Sequence, residues 1–206
     1  NENSELLTTI SVSYNTDLLA MEHLIPLTKR WIEFASKKKN LNFEVRTKSS
    51  NFKMIETLNS EKNIILSWTV SPDDICKSYE HLAPPLSKRI KAIQAALDKG
   101  WKVRLCIDPI IKIENWENIY TDFLSFLFQN VDGKKIFDVT LGTFRMNKDY
   151  FNRIRKRNPK SDIFYSEFSV EHNTIALPKK IRKHMIEKLK KELCKYIDSE
   201  KILIWE

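Results

Sequence analysis

Hydrophobic residues in the middle of the chain fall into two short, β-branched runs, Ile64-Ile-Leu66 and Val103-Arg-Leu-Cys-Ile107, separated by a long amphipathic segment. Runs this short and this nearly continuous predict strands covered on both faces. Between them, Ile90, Ile93, Ala96 and Leu97 recur at helical spacing and predict a helix over 86–99, with Gly100 as its stop. Together the three segments predict one βαβ unit with parallel strands. Ser67 and Asp108 stand where the two runs cease to be apolar. In parallel α/β folds the chemistry gathers at the carboxyl ends of the strands, so these positions draw attention first.

The pattern repeats on both sides of this unit. An alternating stretch over 6–13 predicts a first strand that ends near Tyr14, Asn15, Thr16 and Asp17, with Thr16 or Asp17 placed to cap the next helix. Leu18, Met21, Leu24, Ile25, Leu27, Trp31, Ile32 and Phe34 keep helical spacing, and Pro26 among them predicts a bend or a split. Residues 41–48 read as a second strand with Lys48 at its end, followed by a short helix over 52–58. Ser71 is placed as a cap, with Pro72 at the first helical position. After Asp108-Pro109, read as a turn, a helix is expected over 116–131 and a strand over 136–144, with Arg145 at its end. Asn147 then starts a basic helix through Arg157, residues 163–168 read as a short strand, and a charged helix over 178–197 precedes a final strand over 202–205. This alternation predicts an α/β layer or barrel in a single domain over 1–206, with barrel units over 1–160 and an extension of helix and strand over 161–206.

Composition narrows the chemistry. A chain of 206 residues fits one domain, and its three glycines exclude a glycine-rich phosphate loop. Thirty-five Lys and Arg against 27 Asp and Glu give a formal charge of +8, which suits a polyanion such as DNA and serves solubility equally well. Cys76, Cys106 and Cys194 are odd in number and far apart, unlike a disulfide framework or a C-x-x-C site, so a reducing, cytoplasmic setting is expected. His23, His81, His172 and His184 form no i, i+4 ligand pair, and no metal site is expected. No apolar run reaches the roughly 18 residues of a membrane span, so no membrane partner is expected. The tryptophans are spaced for packing, with Trp68, directly after Ser67, as the exception.

Taken in order, Ser67-Trp-Thr-Val-Ser-Pro-Asp-Asp74, Leu86-Ser-Lys-Arg-Ile-Lys-Ala-Ile93, Asp108-Pro-Ile-Ile111 and Glu114-Asn-Trp116 resemble the spore photoproduct lyase family of radical S-adenosylmethionine (AdoMet) proteins. Arg46-Thr-Lys48, Thr140-Leu-Gly-Thr-Phe-Arg145 and Asn158-Pro-Lys160 extend the resemblance over nearly the whole chain. The resemblance implies a partial (β/α)6-type barrel that binds AdoMet at the strands' carboxyl ends. In that family a C-x-x-x-C-x-x-C loop holds a [4Fe-4S] cluster, which cleaves AdoMet to a 5′-deoxyadenosyl radical. The first strand here matches the family's second, so the chain is expected to lack the first β/α unit, and its scattered cysteines do not supply the cluster's thiolates. The cluster is expected only in the intact protein, and this chain alone should be inactive.

The same resemblance places Thr16, Lys48 and Ser67 at AdoMet-contacting positions, an ammonium suiting a carboxylate and hydroxyls suiting a ribose. A solvated strand-end lysine and local backbone caps are the plain alternatives. Arg89 and Arg145 are candidates for DNA phosphates or else structural ion-pair partners, and Asp108 is placed to orient substrate or to begin a turn. Tyr14 stands where true spore photoproduct lyases have a hydrogen-donating cysteine, which makes it a candidate catalytic residue or a packed aromatic. The function implied is part of a spore photoproduct lyase-like enzyme doing DNA-repair lyase chemistry. The alternatives are a non-catalytic basic nucleic-acid-binding half-barrel and an unrelated α/β barrel enzyme. Without its first unit the half-barrel would expose a sheet edge, through which a homodimer is expected to form.

Overall fold

The structure is a computed structural model that describes residues 8–13 and 16–205. Its strands are β1 (Thr8–Val12), β2 (Leu41–Thr47), β3 (Ile64–Thr69), β4 (Lys102–Ile110), β5 (Asp138–Thr143), β6 (Arg145–Asn147), β7 (Ser169–Glu171), β8 (Thr174–Ala176) and β9 (Ile202–Trp205). Six of them, in the order β1-β2-β3-β4-β5-β9, form one sheet in which every pairing is parallel. The sheet curls into a half-barrel. Its sixth strand comes from residues 202–205, so the barrel extends past the expected boundary at 160 into the C-terminal helix-and-strand segment. Strands β6, β8 and β7 form a small antiparallel sheet.

Side-chain alternation explains the two faces of the half-barrel. Phe43, Val45, Ile64, Leu66, Trp68, Val103, Leu105, Val139 and Leu141 fall on one face and belong to the buried core. Helices α1 (Leu27–Ala35), α2 (Asp73–Tyr79), α3 (Leu86–Asp98), α4 (Trp116–Asn130) and α6 (Lys179–Leu193) contribute their buried stripes to that core, as with Ile90, Ile93 and Ala96 of α3. The opposite face is polar and charged. In it Arg46, Ser67, Arg104 and Asp138 stand in one register row across β2 to β5.

Several expectations change for local physical reasons. The helical pattern over 18–34 becomes turns followed by α1, because Pro26 lacks the N–H that would continue a helix. The Glu22 carboxylate instead accepts from the N–H groups of Thr28 (2.7 Å) and Lys29 (3.0 Å) and caps α1 from outside. The helix expected over 52–58 is a single 3-10 turn, Asn51–Met54. Ser71 does not cap α2, whose cap position is Pro72 itself. Asp108-Pro109 does not turn the chain: it stays within β4, with a cis peptide bond and a register shift between Ile107 and Ile110. Proline cannot donate to the ladder, so it is accommodated at the irregularity. The strand expected over 163–168 is a 3-10 turn, Asp162–Tyr165, and the hairpin β7–β8 comes after it, turning at His172 (φ 45°) and Asn173 (φ 64°). As expected, Asn147 caps α5 (Lys148–Arg157) by accepting from the N–H groups of Asp149 and Tyr150. Among the described residues no helix is long and apolar enough to cross a membrane.

Candidate functional site

A cleft of about 380 Å³ opens at the carboxyl ends of β1 to β5, walled by Ser13, Thr16, Asp17, Arg46, Lys48, Asp108 and Arg145 among others. Parallel pairing puts all of these strand ends on one side of the sheet. Asp17 ties the first two together: its carboxylate accepts from the Thr47 hydroxyl at 2.8 Å and from the N–H groups of Lys48 (2.7 Å) and Ala20 (3.1 Å). Asp17 is thus consumed in fixing where Lys48 begins.

The Lys48 ammonium, with its side chain 39% exposed, meets Glu80 at 2.6 Å, and the other Glu80 oxygen meets Arg89 at 2.6 Å. Burial alone would raise the Glu80 pKa, but the charges and hydrogen bonds of Lys48 and Arg89 outweigh it and hold the carboxyl below its usual range. Arg89 is completely buried, and it also donates to the backbone carbonyls of Pro84 (2.8 Å) and Thr69 (3.1 Å). The expectation that Arg89 meets DNA phosphates is therefore corrected. Its guanidinium sits in the core as the anchor of the Glu80 and Lys48 pair.

On the other side of the cleft, Arg145 donates to Asp108 at 2.8 Å and to the Thr143 carbonyl at 3.1 Å, and Arg46 approaches the second Asp108 oxygen at 3.8 Å. Asp108 therefore stands between two guanidiniums. The pair needs the space that Gly142 leaves, since a Cβ at Gly142 would lie 2.6 Å from Asp108 Oδ1 and 2.8 Å from Arg145 Nη1. Both atoms end movable side chains, so Gly142→Ala is expected to cost less than about 1 kcal/mol of stability while displacing the pair into the cleft. The check is a thermal melt beside a crystal structure of the variant. An unmoved Asp108 and Arg145 would show that the glycine has no such role.

The remaining sequence candidates separate. Thr16, Lys48, Asp108 and Arg145 share the cleft. Ser67 is fully buried below it, its hydroxyl 3.0 Å from Cys106 Sγ, so the expected ribose contact has no exposed hydroxyl to make it. Trp68 is also fully buried, and its indole N–H donates to the Ser49 carbonyl at 2.9 Å, so it is a core residue after all. Tyr14 lies outside the described residues.

Sequence reasoning passed over the charges inside the curl of the sheet. Arg104 donates to both oxygens of Asp138 (2.5 and 2.7 Å) and lies 3.3 Å from Glu44, with all three side chains largely buried. The hydrogen bond to Asp138 raises the Arg104 pKa further, against the effect of burial. The signal was present as polar residues at alternate positions of apolar strands.

The resemblance implies two groups, an iron-sulfur cluster and AdoMet, and the residues present suit them differently. Cys76 and Cys106 are buried on α2 and β4 and Cys194 is exposed after α6, while burial, with Glu80 nearby, pushes the Cys76 thiol up to about 11. Among the described residues no group of three or more potential metal ligands gathers, so they do not fit an iron-sulfur cluster. The cleft does fit AdoMet in kind. It offers an accessible ammonium for a carboxylate and the exposed Thr16 beside it for a hydroxylated sugar.

Comparison with known proteins gives concordant results. The family profile for spore photoproduct lyase matches residues 1–200. Among solved structures, spore photoproduct lyase complexed with dinucleoside spore photoproduct superposes with a TM-score of 0.87 at 16% identity, covering 99% of this chain and 62% of that one. A double mutant of spore photoproduct lyase with bound AdoMet and dinucleoside spore photoproduct gives the same TM-score, identity and coverage. At 16% identity these likenesses establish the fold, and the chain spans about 62% of the length of the structures it matches. No curated protein sequence matches the chain.

Proposed function

Because the chain belongs to the spore photoproduct lyase family, we propose that its cleft is the AdoMet-binding part of a repair lyase acting on spore photoproduct in DNA. The observation that carries this reading is the Lys48 ammonium, held at the cleft wall by Glu80 and still 39% exposed. An ammonium has three donors, and Glu80 occupies one, so others remain for the carboxylate of AdoMet. Bound there, AdoMet is the source of the 5′-deoxyadenosyl group for the radical chemistry implied by the family.

In this reading each residue of the chain has a limited task. Lys48 holds the amino-acid end of AdoMet, and Thr16 meets the ribose from the β1 side. Asp17 keeps the β1 and β2 ends in place, as its bonds to Thr47 and Lys48 already do. Arg145 retains donors beyond those given to Asp108 and Thr143, which suits a backbone phosphate of the lesion. Tyr14 remains a candidate hydrogen donor on sequence grounds.

Isothermal calorimetry of the chain with AdoMet tests the proposal. Removing one charge-assisted contact is expected to cost about 1.5–3 kcal/mol, so Lys48→Ala should weaken binding roughly 10- to 100-fold. Equal affinities for wild type and variant would remove the proposed site.

A further inference from the structure

The cleft does not end at its own walls. Phe144 and Met146 line it and also line a second, larger groove of about 790 Å³, between the end of α2 and the segment after α5. Tyr79 and His81 stand on one side of this groove, and Arg157, Asn158 and Lys160 on the other. Its acidic member, Asp162, is already engaged, accepting from the Tyr79 hydroxyl at 2.9 Å across the groove. Among the described residues neither Arg157 nor Lys160 has a carboxylate partner, and both are exposed. Arg157 is in turn shared with a shallow depression along α5 that includes Arg153 and Lys156. Cations in the last turn of a helix offset its dipole, which accounts for Arg157 in part. That argument does not reach Lys160, which lies beyond the helix end at Arg157.

We propose that this groove is a second nucleic-acid subsite, which takes the single DNA strand flanking the nucleotides held in the cleft. It rests on the reading of the cleft given above and adds a place and a residue set to it. The features needed are present together: two cations without a carboxylate partner among the described residues, the partly exposed ring of Tyr79 for a base, and a wall shared with the cleft through Met146 and the edge of the largely buried Phe144. The volume falls within the roughly 300–1,000 Å³ of ligand sites, so the subsite accommodates nucleotides beyond a dinucleotide held in the cleft.

Fluorescence anisotropy with labelled thymidine oligonucleotides, a dinucleotide and an octanucleotide, separates the two sites. Wild type should bind the octanucleotide more tightly. Arg157→Gln with Lys160→Gln should weaken the octanucleotide about 10-fold, leave the dinucleotide unchanged, and reduce the slope of log affinity against log salt by about 1.4, from two phosphate contacts. Unchanged octanucleotide affinity and slope in this double variant would overturn the inference while leaving the cleft reading intact. Conversely, Arg145→Gln without effect on the dinucleotide, beside a weakened octanucleotide in the double variant, would remove Arg145 as the cleft's phosphate contact and keep the groove. A poly-glutamate peptide competing as well as the octanucleotide would also overturn the inference, since charge alone would then suffice.

Discussion

Replacing Arg89 by methionine is expected to lower the unfolding free energy by about 3–5 kcal/mol, the usual cost of breaking a buried ion pair from one side. Methionine keeps much of the volume, so the loss is electrostatic and hydrogen-bonded rather than a cavity. Glu80 would lose its 2.6 Å contact, and the carbonyls of Thr69 and Pro84 would lose their donors in the core. For a chain of this size each kcal/mol moves the melting temperature by about 2–4 °C, so a fall on the order of 6–20 °C is expected. The pH dependence comes from the lowered pKa of Glu80. A depressed carboxyl contributes stability above its unfolded pKa of about 4.3, and that contribution disappears as pH falls through the folded value. The gap between wild type and Arg89→Met should therefore narrow in acid below about pH 4. Chemical denaturation at neutral and acid pH reads both effects, and a constant gap would show that Glu80 is not the partner that matters. Because Glu80 also holds Lys48, AdoMet affinity should fall in this variant even at temperatures where it is fully folded.

Arg104→Met should be comparably severe, by about 3–5 kcal/mol. It would leave Asp138 and Glu44 buried inside the half-barrel without their shared cation. Adding Glu44→Gln and Asp138→Asn to Arg104→Met should restore a large part of the loss, since a neutral set has no buried charge to compensate. Urea titrations of the single and triple variants decide it. A triple variant no more stable than the single would place the cost in packing instead.

These two arginines also show what the sequence made legible and what it hid. The parallel strands were readable because β3 and β4 are nearly continuous apolar runs, and α3 because Ile90, Ile93 and Ala96 keep its period. Arg89, on the same helix, read equally as a contact for DNA phosphates or as a structural ion-pair partner. Its partners, Glu80, Thr69 and Pro84, are set by how α3 docks against β3 and the loop after α2, which no local pattern encodes. Arg104 lay within a run read as covered on both faces, and Glu44 at a polar position of the strand over 41–48, both on the side of the sheet opposite the helices. Curling of the sheet turned that side inward, where Asp138, 34 residues away from Arg104, supplies the counter-charge. Strands β6, β7 and β8 are three residues each, too short to show a period. Gly142 carried a readable hint, since a glycine inside a strand pattern often marks close approach, here by Asp108 and Arg145. Four strand-end candidates, Thr16, Lys48, Asp108 and Arg145, line one cleft because a parallel sheet brings its carboxyl ends to one side whatever the loops do.

Whether those strand ends bind AdoMet is best measured by mapping amide chemical-shift changes in the ¹⁵N-labelled chain as AdoMet is added. The account predicts saturable changes concentrated at Thr16, Thr47, Lys48 and the Asp108 to Arg145 side of the cleft, absent in Lys48→Ala. Changes centred on α5 or α6, or none at saturating AdoMet, would contradict it.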